Sequence, residues 1–408
     1  MKIVCWLLLG TALNLIGAET GRLTSAEWNN KGSTFYDANA YGEAEQCFQK
    51  ARQLAIGEQE AGAGELPTIV FNLAAVYRAE ARYRDAEPLY FQALALGEKQ
   101  GWDQPKVARV WNGLTLLYLA EGNLSKAEEA GRRALATGKS GDQASLENLD
   151  VMNNLARVLV SRHRYSEAEK LARDVLAVRP ATTQPVNLQV GTAYQTLGRL
   201  SYQEARYGAA EEDLEQAAAL ITGAVGPHSA AAASAWNDLG RVKAVTGNWK
   251  EAEQLLKRSL TTLEGIYGIE HPDVASSLCG LADLYQERGH YAKAGQLYRR
   301  ALEIDNQVFG PVSPKVARDL NSLGSVAYHE RQWDQAEMLF SQSLALYTKT
   351  VGPDSPDVET VSGNLAVVSA RQNQVSDAEP SMGGAGIFQE TYTGAQHPVR
   401  GNLFRNTN

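Results

Sequence analysis

The chain has 408 residues, 44% hydrophobic and 21% charged, the balance of an ordinary folded protein and not of a disordered one. A net charge of −8 argues against nonspecific nucleic-acid binding. Three cysteines (Cys5, Cys47 and Cys279) are too few for a disulfide framework, so stability has to come from packed apolar faces.

In chain order, residues 3–18 form an apolar run that follows Lys2 and ends at the small residue Ala18, just before Glu19. A charged start, a short apolar stretch and a small residue at the cut describe a secretory signal peptide over residues 1–18. The mature chain is then expected to begin near Glu19 and to be exported, periplasmic or secreted, in a bacterium. An uncleaved anchor and a buried first helix are the alternatives. Cleavage would remove Cys5 and, among charges, Lys2 alone. Cys47 and Cys279 would remain, too far apart along an elongated molecule to be bridged.

From there on the chain is periodic. Ala44, Ala86, Ala127, Ala168, Ala210, Ala252, Ala294, Ala336 and Ala378 recur at spacings of 41 or 42 residues, the mark of a stacked-repeat architecture. Four and seven residues after the alanine stand pairs such as Phe48 and Ala51, Tyr90 and Ala93, Leu214 and Ala217, or Tyr298 and Ala301. That spacing lies on one face of an α-helix. Upstream of the alanine, Trp111, Leu114, Thr115 and Tyr118, or Leu278, Leu281, Ala282 and Tyr285, trace a second amphipathic helix. Each unit therefore reads as two helices, A and B, joined by a polar turn such as Glu121-Gly122-Asn123, with small residues where the two backbones approach. Pro272, Pro314, Pro356 and Pro398 mark the starts of helices A, where a missing N–H costs nothing. Pro88 and Pro380 follow the periodic alanine by two residues, which is tolerable if helix B starts near Asp85 and Asp377 as N-caps. In the ninth unit Gly383, Gly384 and Gly386 crowd helix B, so this end is expected to fray or cap the stack, and residues 401–408 to be a disordered tail.

The pattern Trp-x-x-Leu-Gly, as at Trp236, Leu239 and Gly240, together with the periodic alanine, an aromatic and a second alanine, as at Ala294, Tyr298 and Ala301, resembles the tetratricopeptide repeat. Those repeats usually have 34 residues. The 42-residue unit here is similar to the kinesin-light-chain type, which carries Gly-x-x-His-Pro-Asp-Val-Ala between helix B and the next helix A. Gly268 to Ala275 spell that motif, with degenerate copies at Gly310 to Ala317 and Gly352 to Val358. The resemblance covers roughly residues 24–400. It implies an all-α, right-handed superhelical solenoid of about nine antiparallel helix pairs over residues 19–400, the last one degenerate.

By that resemblance, the fifth, sixth, ninth, twelfth and thirteenth positions of each helix A line a concave groove. The fifth position is rich in amides, among them Asn112, Asn153 and Asn237. An amide both donates and accepts, so such a column can hold the backbone of an extended peptide; it can equally tie adjacent repeats together. The ninth position carries Arg157, Arg199 and Arg241 in three consecutive units. Guanidinium forks bind carboxylates bidentately, so this column points to an anionic ligand, or to pairing with acidic neighbours such as Asp238.

Nothing in the sequence points to chemistry. Gly138-Lys139-Ser140 ends like a phosphate-binding loop, but Arg133 stands where its first glycine belongs. The six histidines show no metal-ligand spacing, and no serine sits in a nucleophile elbow. The expectation is a noncatalytic protein–protein interaction scaffold without cofactor or metal. Its groove would hold a protein or peptide segment, acidic if the arginines bind it, with no nucleic acid and no membrane after signal cleavage. Two alternatives are an assembly or regulatory subunit of an exported complex, and a kinesin-light-chain-like cargo adaptor. Against the adaptor stand the signal peptide and residues 19–27, too short for a heptad segment.

Overall fold

In each repeat the chain reverses on one residue in the left-handed region: Asn39, Ala81, Gly122, His163, Ala205, Gly247, Gly289 and Arg331. The computed structural model describes residues 23–57, 64–138, 145–178 and 187–378. Among them lie 17 α-helices and no strand. The A helices are α1 (Ser25–Asp37), α3 (Leu66–Ala79), α5 (Gln104–Glu121), α7 (Leu146–Ser161), α9 (Asn187–Gln203), α11 (Ala230–Val245), α13 (Pro272–Glu287), α15 (Pro314–His329) and α17 (Pro356–Ala378). The B helices are α2 (Tyr41–Gly57), α4 (Tyr83–Lys99), α6 (Leu124–Gly138), α8 (Tyr165–Ala177), α10 (Tyr207–Val225), α12 (Trp249–Tyr267), α14 (Tyr291–Phe309) and α16 (Trp333–Thr350). They form eight antiparallel hairpins, with α17 as the first half of a ninth.

The two kinds of turn obey different rules. Between A and B the left-handed residue has φ near +60° and tolerates Ala81, Ala205 or Arg331. Between B and the next A, Gly226, Gly268 and Gly310 combine φ of 80°, 81° and 79° with ψ of 166°, 178° and 172°. That combination is open essentially to glycine alone, which is why glycine recurs there. The following helix is then capped: His271 and Ser313 accept the N–H of the residue two ahead, and Pro272 and Pro314 are the first helical residues.

The periodic alanines from Ala44 to Ala336 are completely buried. Beside them, the small eighth residue of helix A meets the large side chain four positions after the alanine. A Cβ on Gly32 would lie 2.6 Å from the Phe48 ring, and one on Gly240 would lie 2.8 Å from Leu256 Cγ. The alanine and the glycine together set how close A and B come, and the aromatic or leucine fills the remaining gap.

Two expectations about helix starts need correcting. Asp85 is not an N-cap; α4 begins at Tyr83, directly after the Ala81 turn, and Asp85 lies in its first turn accepting from Arg82 Nε at 3.1 Å. Pro88 is therefore inside the helix, where it leaves only the carbonyl of the exposed Arg84 to water. Asp377 does not start a helix either, since α17 runs through it to Ala378. The signal segment 1–18, Pro380, the glycines of the ninth unit, Pro398 and the tail 401–408 lie outside the described residues.

The solenoid winds tightly enough that successive turns touch. Tyr41 at the start of α2 stacks on Tyr267 at the end of α12, with centroids 5.8 Å apart. One repeat further on, Tyr83 stacks in the same way on Phe309, also at 5.8 Å. Alongside these pairs, His271 at the head of α13 reaches the carbonyl of Ala79 at the tail of α3, 3.0 Å away. A Cβ on Gly122 would come within 2.9 Å of Pro314 at the head of α15. Unit n thus meets unit n + 5 through an aromatic seam, and the concave face becomes the wall of a channel.

Candidate ligand channel

The channel has a volume of about 560 Å³, within the range of small-molecule and peptide-segment sites. Its cationic lining is Arg78, Arg157, Arg199, Arg241, Lys315 and Arg318; its carboxylates are Asp238, Asp273 and Asp357. An acidic protein has therefore turned a positive surface inward.

The three arginines of the ninth-position column, Arg157, Arg199 and Arg241, come from α7, α9 and α11, and all line this channel, as does Asn237. Their partners differ. Arg199 Nε donates to Asp238 Oδ2 of the next unit at 2.7 Å, and Gln195 holds the same oxygen at 2.6 Å. Arg241 faces Asp283 Oδ2 at 3.5 Å and lies over the Tyr202 ring at 5.5 Å. Arg157 finds no carboxylate among the described residues; its contact is Asn154 Oδ1 at 3.3 Å. The reason lies in the next unit, where the positions that supply Asp238 and Asp283 elsewhere hold Thr196 and Arg199. Burial in the channel, with Arg199 beside it, holds the Arg157 pKa down to about 10.

Arg78, on α3, has no carboxylate partner among the described residues either. One Nη donates to the Tyr36 hydroxyl at 3.3 Å, and its Nε has no partner. It occupies the twelfth position of its helix, which the repeat pattern places in the groove, so its position was available from the sequence. What hid it was its isolation: Tyr36, Leu119 and Val160 fill that column in neighbouring units, and no run of arginines draws the eye.

Arg318 is different in kind. It is buried against Asp305 Oδ2 at 3.0 Å and Asp319 Oδ1 at 2.7 Å, an ion cluster internal to α14 and α15. The low-dielectric surroundings push the Asp305 carboxyl up to about 7, against the pull of Arg318.

The amide column does two jobs. Asn112 Oδ1 accepts from Asn154 Nδ2 at 3.0 Å, and the same rung recurs as Asn72 to Asn29 at 2.9 Å and Asn364 to Asn321 at 3.0 Å. Asn112 faces a depression next to the channel, which Arg78 also borders. Asn153 is buried and donates to the carbonyl of Gln189 at 3.0 Å, away from both cavities. Asn237 keeps a buried Oδ1 without a partner at the channel wall.

At the seam, His271 is fixed in one tautomer. Its Nδ1 accepts from the Asp273 N–H at 3.1 Å, so the proton sits on Nε2, which donates to Ala79 O. Burial pushes its pKa down, with Asp273 opposing and Lys315 and Arg78 adding to the depression. Among the described residues, no cluster of three or more potential metal ligands forms, and no helix is long and apolar enough to cross a membrane.

Comparison with known proteins agrees with this architecture. Tetratricopeptide repeat models match residues 65–140, 231–307 and 308–381, residues 149–179, and residues 196–265. No curated protein matches significantly. Among solved structures, a Rap protein complexed with competence and sporulation factor is 13% identical, covering 86% of this chain and 98% of its own, with a TM-score of 0.54. BtubC (BKLC) from P. vanneervenii is 19% identical over 57% of this chain and 91% of its own, TM-score 0.40. A kinesin light chain from Podosopora anserina is 22% identical over 52% and 98%, TM-score 0.40. The repeat register, the helix pairs and the family models, which match more than half of the chain, lead to one conclusion: the chain belongs to the tetratricopeptide repeat family.

Proposed function

We propose that this protein is a noncatalytic scaffold whose superhelical channel holds an extended peptide or protein segment. The observation that carries the reading is the channel itself, closed by the seam and lined by cationic and hydrogen-bonding side chains, among them Arg157, Arg78 and Asn237. Groups of this kind suit a polypeptide, whose backbone offers donors and acceptors at regular spacing. The Rap protein in complex with competence and sporulation factor, which shares the fold along most of this chain, is in keeping with the reading.

The test is affinity capture with the full chain, identification of captured proteins by mass spectrometry, and titration of the purified partner. The Arg157→Ala, Arg199→Ala, Arg241→Ala triple variant is expected to bind it more than tenfold more weakly while keeping its helical circular dichroism. Equal binding by the variant places the partner elsewhere on the solenoid. The exported location is tested separately: native material should begin at or near Glu19, and an intact Met1 in a cytoplasmic fraction would exclude cleavage of residues 1–18.

A further inference from the structure

Two carboxylates stand where the repeat elsewhere places apolar side chains. The position of Asp319 in helix A holds Ile69, Val110, Val151, Ala193 and Ala235 in units two to six, and that of Asp305 in helix B holds Ile221 and Leu263 in units five and six. Those residues are all buried, and the aspartates are buried with them, at 1% exposure for Asp305 and none for Asp319. One guanidinium serves both. Arg318 Nη2 donates to Asp305 Oδ2 at 3.0 Å and to Asp319 Oδ1 at 2.7 Å, and its Nε adds a bond to Asp319 Oδ1 at 3.0 Å. Asp305 Oδ1 and Asp319 Oδ2 are left buried, and neither has a hydrogen-bond partner among the described residues.

With both carboxyls ionised, the cluster would set two negative charges against one positive in a site closed to water, which is costly. The groups packed around it do not cancel the excess. From α13, the Cys279 thiol donates to Asp319 Oδ1 at 3.5 Å, and Asp283 adds a like charge that Arg241 and Tyr298 already engage. Tyr347 of α16 and Tyr83 of α4, the latter from across the seam, present uncharged phenols. Lys315 of α15 attracts Asp305, but its ammonium lies over the Phe309 ring, 5.4 Å from the centroid. A single proton removes the excess charge. The two carboxyls lie within hydrogen-bond reach of each other, so a proton carried by one becomes a bond to the other.

We infer that Asp305 and Asp319 hold one proton between them in the folded protein at neutral pH, and that this proton ties α14 to α15. Once it leaves, the two carboxylates repel each other across the contact between these helices. In a locally opened junction an aspartate has its ordinary pKa of about 3.9. Burial holds the Asp305 carboxyl well above that value in the closed one, against the pull of Arg318. Opening therefore releases a proton, and the protection it gives is greatest in acid and is lost as pH rises through the range of the closed pair.

The experiment is infrared spectroscopy of the full chain between pH 6 and pH 8.5, in which a protonated carboxyl is read apart from a carboxylate by its C=O stretch. The parent is expected to show a protonated carboxyl at pH 6 that is gone at pH 8.5. Asp305→Asn and Asp319→Asn should each abolish it, since either change leaves one carboxylate to balance Arg318. Asp283→Asn, which removes the neighbouring acid, should leave it in place. The second readout is amide exchange corrected for intrinsic rates. Protection of α14 and α15, relative to α7 and α8, should fall at least threefold more in the parent than in Asp305→Asn over the same pH range; His271 is common to both proteins. No such carboxyl in the parent, or one that survives both asparagine variants, overturns the site. Loss in only one of those variants means that one aspartate keeps the proton unaided, and overturns the sharing. Equal exchange in the parent and Asp305→Asn overturns the tie between α14 and α15.

Discussion

Arg199 and Arg241 each meet a carboxylate from the following unit, while Arg157 meets Asn154 and its own neighbour Arg199. The cost of that isolation has a readable sign. A cation whose pKa falls on folding is bound to its proton less tightly in the native state than in the unfolded one, so it weakens the fold at neutral pH and the penalty lifts only as pH rises through about 10. Replacing it by a neutral isostere should therefore stabilise the empty protein. Arg157→Gln is expected to raise the urea midpoint at pH 7.5 by the equivalent of about 1 kcal/mol, after allowing for water in the channel. A variant less stable than the parent would mean that Arg157 is structurally satisfied. The same residues show what a sequence can and cannot convey at this scale. Which side chains share a column follows from the period. Which arginine keeps its charge free depends on two residues of the next unit, Thr196 and Arg199, at the positions that supply Asp238 and Asp283 elsewhere, and that becomes visible only when the units are stacked. The amides followed the same course: Asn72, Asn154 and Asn364 at the sixth position form rungs with Asn29, Asn112 and Asn321 at the fifth, leaving Gln195 and Asn237 as the fifth-position amides at the channel wall.

Within a hairpin, the A–B distance is set by residues with almost no side chain, and this was legible from the alanine period alone. Ala252 is completely buried beside the Gly240–Leu256 contact. Ala252→Leu should overpack that contact and cost about 1–3 kcal/mol. Because each unit packs on its neighbours and, across the seam, on the unit five away, amide exchange should accelerate in α11 to α14 and stay unchanged in α5 to α8, which do neither with this hairpin. A uniform rise across the chain, or none, would contradict local packing. The turns make a second prediction. A Cβ on Gly268 would meet nothing within 4 Å, so an alanine there is opposed by backbone conformation alone. Gly268→Ala should cost about 1–3 kcal/mol, since φ +81° with ψ 178° is closed to other residues. Gly289→Ala, in a left-handed A–B turn of the kind that accepts Ala81 and Ala205, should cost about 1 kcal/mol. Equal losses in urea melts of the two variants would remove the distinction. The helix starts were harder to read, because α4 begins where the Ala81 turn releases the chain and not where Asp85 could cap it.

At the level of the whole molecule, the contact that matters most joins residues 192 positions apart, and no local pattern announces it. Tyr41, Tyr267, Tyr83 and Phe309 read in the sequence as ordinary aromatics of their own hairpins; only the superhelical pitch brings them together across the seam. His271 sits at that seam with both ring nitrogens engaged, stacked on Tyr267 with centroids 4.0 Å apart. A second proton would have to go on Nδ1, which would end its cap of α13 and put a charge beside Arg78 and Lys315. Asp273, 3.8 Å from Nδ1, would offset part of that repulsion. The closed seam therefore holds its proton less well than an open one, in which the imidazole has its ordinary pKa of about 6.5. Closure is complete above that value and weakens as pH falls below it. Small-angle scattering should show a larger radius of gyration at pH 5 than at pH 7.5, with helicity unchanged, since each hairpin keeps its own core. His271→Asn retains a capping side chain but cannot titrate or reach Ala79 in the same way; it should be expanded at both pH values and insensitive to the change. If the parent scatters identically at the two pH values, the seam does not depend on His271; if the variant expands on acidification as much as the parent does, another group opens the channel.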